Sequence, residues 1–242
     1  MNTRLLTGGL AGLYLGAMLT ACGGGGGSDS ATVNTPPSTP SSSTAQFAIG
    51  AGFKARVMNG SSDTFDVGGT CSGTAAITTL AAVASTFETV AGFSTTQTST
   101  SSFSNCMPAT ASVTGVTYYS ADYGPIGQSI GGGDYAKYES RLPPLPASVK
   151  VGDAADFGAL TTYTDSTKAM LTGRKLFSYV IEPDSSTTAT ANIIVRTYDT
   201  TAQLLSTQRS RYRMAADGTL KLVTIEVQFG TTSNVRLVYT AR

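Results

Sequence analysis

The dipeptide Asp217-Gly218, set between the runs SRYRMAA and TLKLVTIEVQF, constrains this chain more than any other feature. A two-residue turn of this composition accepts the positive φ angles of a tight hairpin, and its twist suits the strands on either side. Pairing Ala216 with Thr219 fixes the register behind it, because side chains alternate with a period of two. Tyr212 then faces Val223 and Ser210 faces Ile225. On the other face Arg213 lies across from Leu222, Arg211 from Thr224 and Arg209 from Glu226. One face collects Tyr212, Met214, Val223, Ile225, Val227 and Phe229 for a core, and the opposite face is polar and charged. Turn chemistry and hydrophobic pattern agree, as they do in a real hairpin.

The runs Leu176–Ile181, Asn192–Tyr198 and Lys221–Phe229, separated by polar turn residues, extend this hairpin into an antiparallel meander from Lys150 onward. Arg209, Arg211 and Arg213 project together from one of its faces. Three guanidinium forks suit a carboxylate or phosphate, which makes them a candidate anion-binding face. The plainer reading is a solvated sheet surface on which Arg209 pairs with Glu226.

Upstream, FDVGGTCSGTAAITTL alternates in part, whereas Ile77, Leu80, Ala84, Phe87 and Ala91 also fall near helical spacing. Strands are favoured over 75–92 because Gly and Thr dominate the surroundings, and Ser94 to Ser102 is a nearly unbroken Ser/Thr run of poor helix preference. The expected fold is mainly β: an antiparallel β-sandwich or open barrel with a C-terminal meander and room for one short helix. It forms a single domain from residue 46 to 242.

The N-terminus is of a different kind. Met1 to Arg4 is a short basic region, and Leu5 to Leu19 is an apolar run of about fifteen residues, shorter than a spanning helix needs. The run ends in Leu19-Thr20-Ala21-Cys22, which resembles the lipobox of bacterial lipoproteins, the cysteine being the residue that is lipidated. GGGGGSDSATVNTPPSTPSSSTA follows, without the large apolar residues a core requires. Residues 1–21 are therefore expected to be a lipoprotein signal peptide and residues 22–45 a Gly/Ser/Pro-rich tether. Over its first thirty residues the chain resembles the small uncharacterised lipoproteins of the proteobacterial envelope. That resemblance implies acylation of Cys22, with palmitate-type chains holding the body stably at a membrane. With Gly23 rather than Asp after the cysteine, it also implies the cell outer membrane, with the body facing either the periplasm or the surface.

With Cys22 so assigned, Cys71 and Cys106 remain, an even pair in a compartment that permits disulfides, and they are expected to bond. Their spacing is far from C-x-x-C. Composition narrows function further: there is no histidine and no tryptophan, and 16 basic against 15 acidic residues leave a formal net charge of +1. The absence of histidine removes the commonest proton shuttle and metal ligand, and the balanced charge supplies no field for nucleic acid. No metal or cofactor is expected.

Two local motifs bear on activity. Gly127-Gln128-Ser129-Ile130-Gly131 spells the G-x-S-x-G of a nucleophile elbow, but no histidine can activate Ser129, and the following glycines oppose the helix that an elbow requires. The stretch from Tyr118 to Pro146 reads as one long connection rich in tyrosine. Tyr118, Tyr119, Tyr123, Tyr135 and Tyr138 make it a candidate recognition loop, the alternative being that the loop packs its own tyrosines on the sheet. The function expected from sequence is a lipid-anchored, non-catalytic envelope module, structural or interacting with an envelope protein. A periplasmic carrier for an apolar ligand is the alternative, and a hydrolase working without histidine the weakest reading.

Overall fold

The computed structural model of the protein describes residues 44–131, 134–139, 145–230 and 235–242. The segment expected to be a signal peptide, Cys22 and nearly all of the expected tether lie outside the described residues. After a short N-terminal segment comes helix α1 (Ile49–Asn59), followed by thirteen strands: β1 (Ser61–Gly69), β2 (Gly73–Thr79), β3 (Val83–Phe87), β4 (Val90–Phe103), β5 (Thr110–Ser120), β6 (Pro125–Ile130), β7 (Tyr135–Tyr138), β8 (Ala154–Tyr163), β9 (Leu171–Pro183), β10 (Thr188–Tyr198), β11 (Leu204–Ala215), β12 (Leu220–Phe229) and β13 (Arg236–Ala241). All pairings are antiparallel. The meander runs from β4 to β13, β13 pairs with β1, β1 with β2, and β2 with β4, so that twelve strands close a barrel. The mainly β expectation holds, and the sheet closes on itself where the sequence reading left a sandwich or an open barrel.

Only β3 stands outside the ring, paired with the first residues of β4. It forms the tip of a long hairpin, curled back onto the outer wall of β5 to β7. There the Phe87 ring lies 4.6 Å from the Tyr118 ring and 5.4 Å from that of Tyr135. Glu88, at φ 54° in the tip, accepts hydrogen bonds from the Tyr135 hydroxyl (3.1 Å) and the Lys137 ammonium (2.5 Å), and it also pairs with Lys168.

One end of the barrel is capped by α1 and by the chain entering it. Phe47 exchanges backbone hydrogen bonds with Val149, and Phe47 and Ile49 are fully buried. The helix has no side-chain N-cap, and its two internal glycines weaken it intrinsically, so docking is what stabilises it. Gly52 permits that docking: a β-carbon there would lie 2.0 Å from the carbonyl oxygen of Gly218 in the β11–β12 turn. The helix inserts Phe53 edge-on to Tyr212, and Arg56 pairs with Asp63 of β1 at 2.5 Å. At the opposite end Cys71 and Cys106 form a disulfide that ties the β1–β2 turn to the β4–β5 connection.

Inside and outside differ in chemistry. Phe65, Val67, Ile77, Phe177, Ile181, Met214, Ile225 and Leu237 point inward as one continuous core. The outward positions carry threonine and serine ladders, such as Thr98 against Thr114 at 3.0 Å, and charge ladders on β9 to β13. Cross-strand pairs of both kinds stabilise the sheet from its outer face.

One expectation holds in detail and two are corrected. Residues 75–92 are indeed strand, and the one helix lies earlier, at Ile49–Asn59. The β11–β12 register matches the expected pairs from Arg211–Thr224 to Arg209–Glu226. Nearer the turn it shifts by one: Tyr212 pairs with Leu222, and Leu222 replaces Val223 in the core. The cause is a turn one residue longer than expected, in which Gly218, at φ 87°, donates its N–H to Ala215 and a bulge absorbs the extra residue. Finally, the stretch from Tyr118 to Pro146 is not one loop, because β6 and β7 run through it.

Candidate binding site in the barrel lumen

Alternation along β9 places Lys175, Phe177, Tyr179 and Ile181 on the same inward face. A lysine in phase with an apolar row is carried into the interior whether or not it has a partner. Lys175 is 2% exposed. Its ammonium makes no hydrogen bond or ion pair among the described residues, and its only electrostatic partner is the carboxyl of Asp134, just before β7. Burial pulls the Lys175 ammonium down to about 8, with Asp134 partly offsetting the shift. Burial in turn raises the Asp134 carboxyl, and Lys175 moderates that rise.

A second unpartnered group faces the same interior. Gln128 sits on β6 between Thr117 of β5 and Ala136 of β7, is 1% exposed, and has neither its carbonyl oxygen nor its amide nitrogen hydrogen-bonded. The row of Gln128 continues through Ala136 and Thr162 to Gly173, and the neighbouring row carries Tyr138, Leu160, Lys175 and Thr197. The wall between the carboxamide and the ammonium thus bears the small Ala136 and Thr162 in one row and the larger Tyr138 and Leu160 in the other. Gly173 cannot be enlarged, since a β-carbon there would lie 2.0 Å from the Tyr198 carbonyl oxygen. The Tyr138 hydroxyl, buried in the same region, also lacks a hydrogen-bond partner among the described residues, and burial raises it well above the ordinary phenol range.

The rest of the lining is mixed. Thr95, Gln97, Ser99 and Ser101 of β4, Thr117 of β5, and Gln208 and Ser210 of β11 are all buried and polar. The Tyr239 ring packs edge-on to Phe65, and its hydroxyl is turned toward Ser101 across the barrel. Eight-stranded barrels are just wide enough to fill with side chains or hold one small ligand, and width grows with strand number. A ring of twelve strands is wider, and large side chains such as Tyr119, Phe177, Tyr212 and Tyr239 are buried within it.

The residues singled out from sequence are scattered. Arg209, Arg211 and Arg213 do share the outer face of β11. Arg211 lies 3.4 Å from Glu182 and 3.7 Å from Glu226, and Arg213 pairs with Asp184 at 2.8 Å. Arg209 faces Glu226 and helps hold its carboxyl below the usual range, after the larger effect of Arg236. The five tyrosines do not form one surface. Tyr119 and Tyr138 point into the lumen, Tyr118 and Tyr135 pack against Phe87 on the outer wall, and Tyr123 stacks on Phe93 at 5.0 Å with Lys54 over its ring. Ser129 is on the outer side of β6, its hydroxyl 3.5 Å from that of Tyr118. Lys175 and Gln128 were missed, although one signal was present: in RKLFSYVI the lysine keeps step with Phe177, Tyr179 and Ile181.

Comparisons with protein-family models, with curated proteins and with solved structures find no match to this chain.

Proposed function

We propose that this chain is a non-catalytic binding module of the cell envelope, held at the outer membrane by acyl chains on Cys22, which takes a small ligand into the barrel lumen. The observation that carries the reading is the pair Lys175 and Gln128 on the inner wall of a closed barrel: a charge 2% exposed with no hydrogen bond or ion pair among the described residues, and a buried carboxamide with neither of its polar atoms bonded there. Leaving such groups unpaired costs several kcal/mol, a cost a ligand offsets by supplying partners. Natural proteins tolerate such frustration mainly at sites of function. The threonine and charge ladders on the outer wall favour a water-facing body on a tether over a wall buried in lipid, which would present an apolar band.

Protein extracted gently from membranes and examined by native mass spectrometry is expected to carry a noncovalent small-molecule mass. Ala136→Phe, which fills the row between Gln128 and Lys175, is expected to remove it. A wild-type protein that carries no such mass, or a mass that persists in folded A136F, contradicts the reading.

A further inference from the structure

Resting on that reading, we infer that the lumen ligand is a small organic carboxylate, its charged end held by Lys175 and a neutral polar group farther along held by Gln128. The argument begins from what each group lacks. An ammonium has three donors and no acceptor, so it needs oxygen acceptors, and the sealed charge calls for an anion. Asp134 supplies a charge influence without a hydrogen bond or ion pair, leaving all three donors of Lys175 for a ligand.

The class of anion follows from the charge count. Phosphate recognition usually enlists guanidinium forks, several cations or a helix N-terminus. Lys175 stands as a single ammonium, and the arginines of β11 lie on the outer face. Arg56, which lies over the Tyr212 ring at the capped end, is already committed to Asp63. Because Asp134 acts on it without a hydrogen bond or ion pair among the described residues, the one ammonium of Lys175 still has donors to offer a single carboxylate.

Gln128 sets the second requirement. Its carboxamide both donates and accepts, so it takes a hydroxyl or an amide rather than another charge. Between the two anchors the wall carries Ala136, Thr162, Leu160 and Tyr138, with Phe177 stacked on Tyr138, a mostly apolar stretch. The occupant therefore combines an acid end, a short apolar body and a neutral polar end.

The test uses the full-length protein in detergent, titrated calorimetrically with hexanoate, with hexanamide as the neutral isostere, and with inorganic phosphate. Hexanoate is expected to bind at least ten times more tightly than hexanamide, and phosphate is expected to give no heat above dilution. In Lys175→Met the preference for hexanoate is expected to vanish, with the thermal transition reporting that the variant is folded. Equal binding of hexanoate and hexanamide by the wild type, phosphate binding more tightly than hexanoate, or no binding of hexanoate overturns the inference, and none of these needs the variant. The lumen reading stands or falls separately: a neutral molecule found by native mass spectrometry and lost in A136F would keep that reading and refute the carboxylate.

Discussion

Phe87 lies flat against Gly127, so closely that a β-carbon on the glycine would come within 2.1 Å of the ring's Cζ. The first glycine of GQSIG is thus a floor for an aromatic ring delivered by a distant hairpin. Gly127→Ala is expected to lift that ring and destabilise the protein by about 1–3 kcal/mol, the usual range for overpacking. Chemical denaturation checks the magnitude. Amide exchange should show the loss concentrated in 83–94.

The same hairpin tip is held electrostatically. Hydrogen bonds from Lys137 and then Lys168 pull the Glu88 carboxyl down to about 2, against the opposing effect of burial. A carboxylate with a depressed folded pKa stabilises the fold above its unfolded value, near 4.5, and loses that contribution as pH falls toward 2. Because the lysines are well exposed, Glu88→Gln is expected to cost only about 1 kcal/mol at pH 7. The difference from wild type should shrink between pH 4.5 and 2, measured by urea denaturation at each pH.

Lys175 has the opposite sign. Its folded value, about 8, lies below the ordinary 10.5, so the cost of burying the charge is fully present below pH 8. Between the two values the unfolded chain keeps a proton that the folded chain has released, and stability rises with pH. Ligand-free Lys175→Met is expected to be more stable than wild type by up to about 3 kcal/mol at pH 7. That advantage should fall away above pH 8, as read from paired denaturation curves across the range.

The disulfide closes a separation of 35 residues. On the loop-entropy argument, replacing Cys71 and Cys106 by alanine is expected to cost about 3.5–4 kcal/mol. Thiol labelling of unreduced, denatured protein should modify neither cysteine. Labelling of both would show that the bond does not form in the cell.

Anchoring has its own measurement. Cys22→Ser is expected to move the protein from the membrane fraction to the soluble fraction, since without acyl chains the Gly/Ser/Pro-rich segment has no large apolar residues to hold a membrane. Unchanged partitioning would count against lipidation at that residue.

The sequence was most legible where local and long-range chemistry coincide. The Asp217-Gly218 turn gave the β11–β12 pairing from Arg211–Thr224 onward, and missed only the bulge near Val223, which depends on how a turn accommodates one extra residue. Closure was not legible, because it rests on β1 meeting β13 and β2 meeting β4, pairings between segments with no turn to announce them. The lumen was obscured by its own polarity. In β4 the inward positions Thr95, Gln97, Ser99 and Ser101 alternate with equally polar outward ones, so no hydrophobic period marks which face is inside. Tyr118, Gly127 and Tyr135 read as loop because their role, packing against Phe87, requires the other partner to be known.

Barrel closure leaves its mark on β3. The twelve ring strands each have two neighbours, whereas β3 pairs with β4 alone and keeps one row of backbone donors and acceptors unmatched. Val83, 62% exposed, stands on that strand. A row of this kind is a template on which a stray strand can grow, and natural sheets blunt it by shortness, charge or curvature. Here five residues, curled against the wall and pinned at Glu88, do all three. Resistance of this barrel to self-association into β-aggregates therefore rests on the hairpin tip.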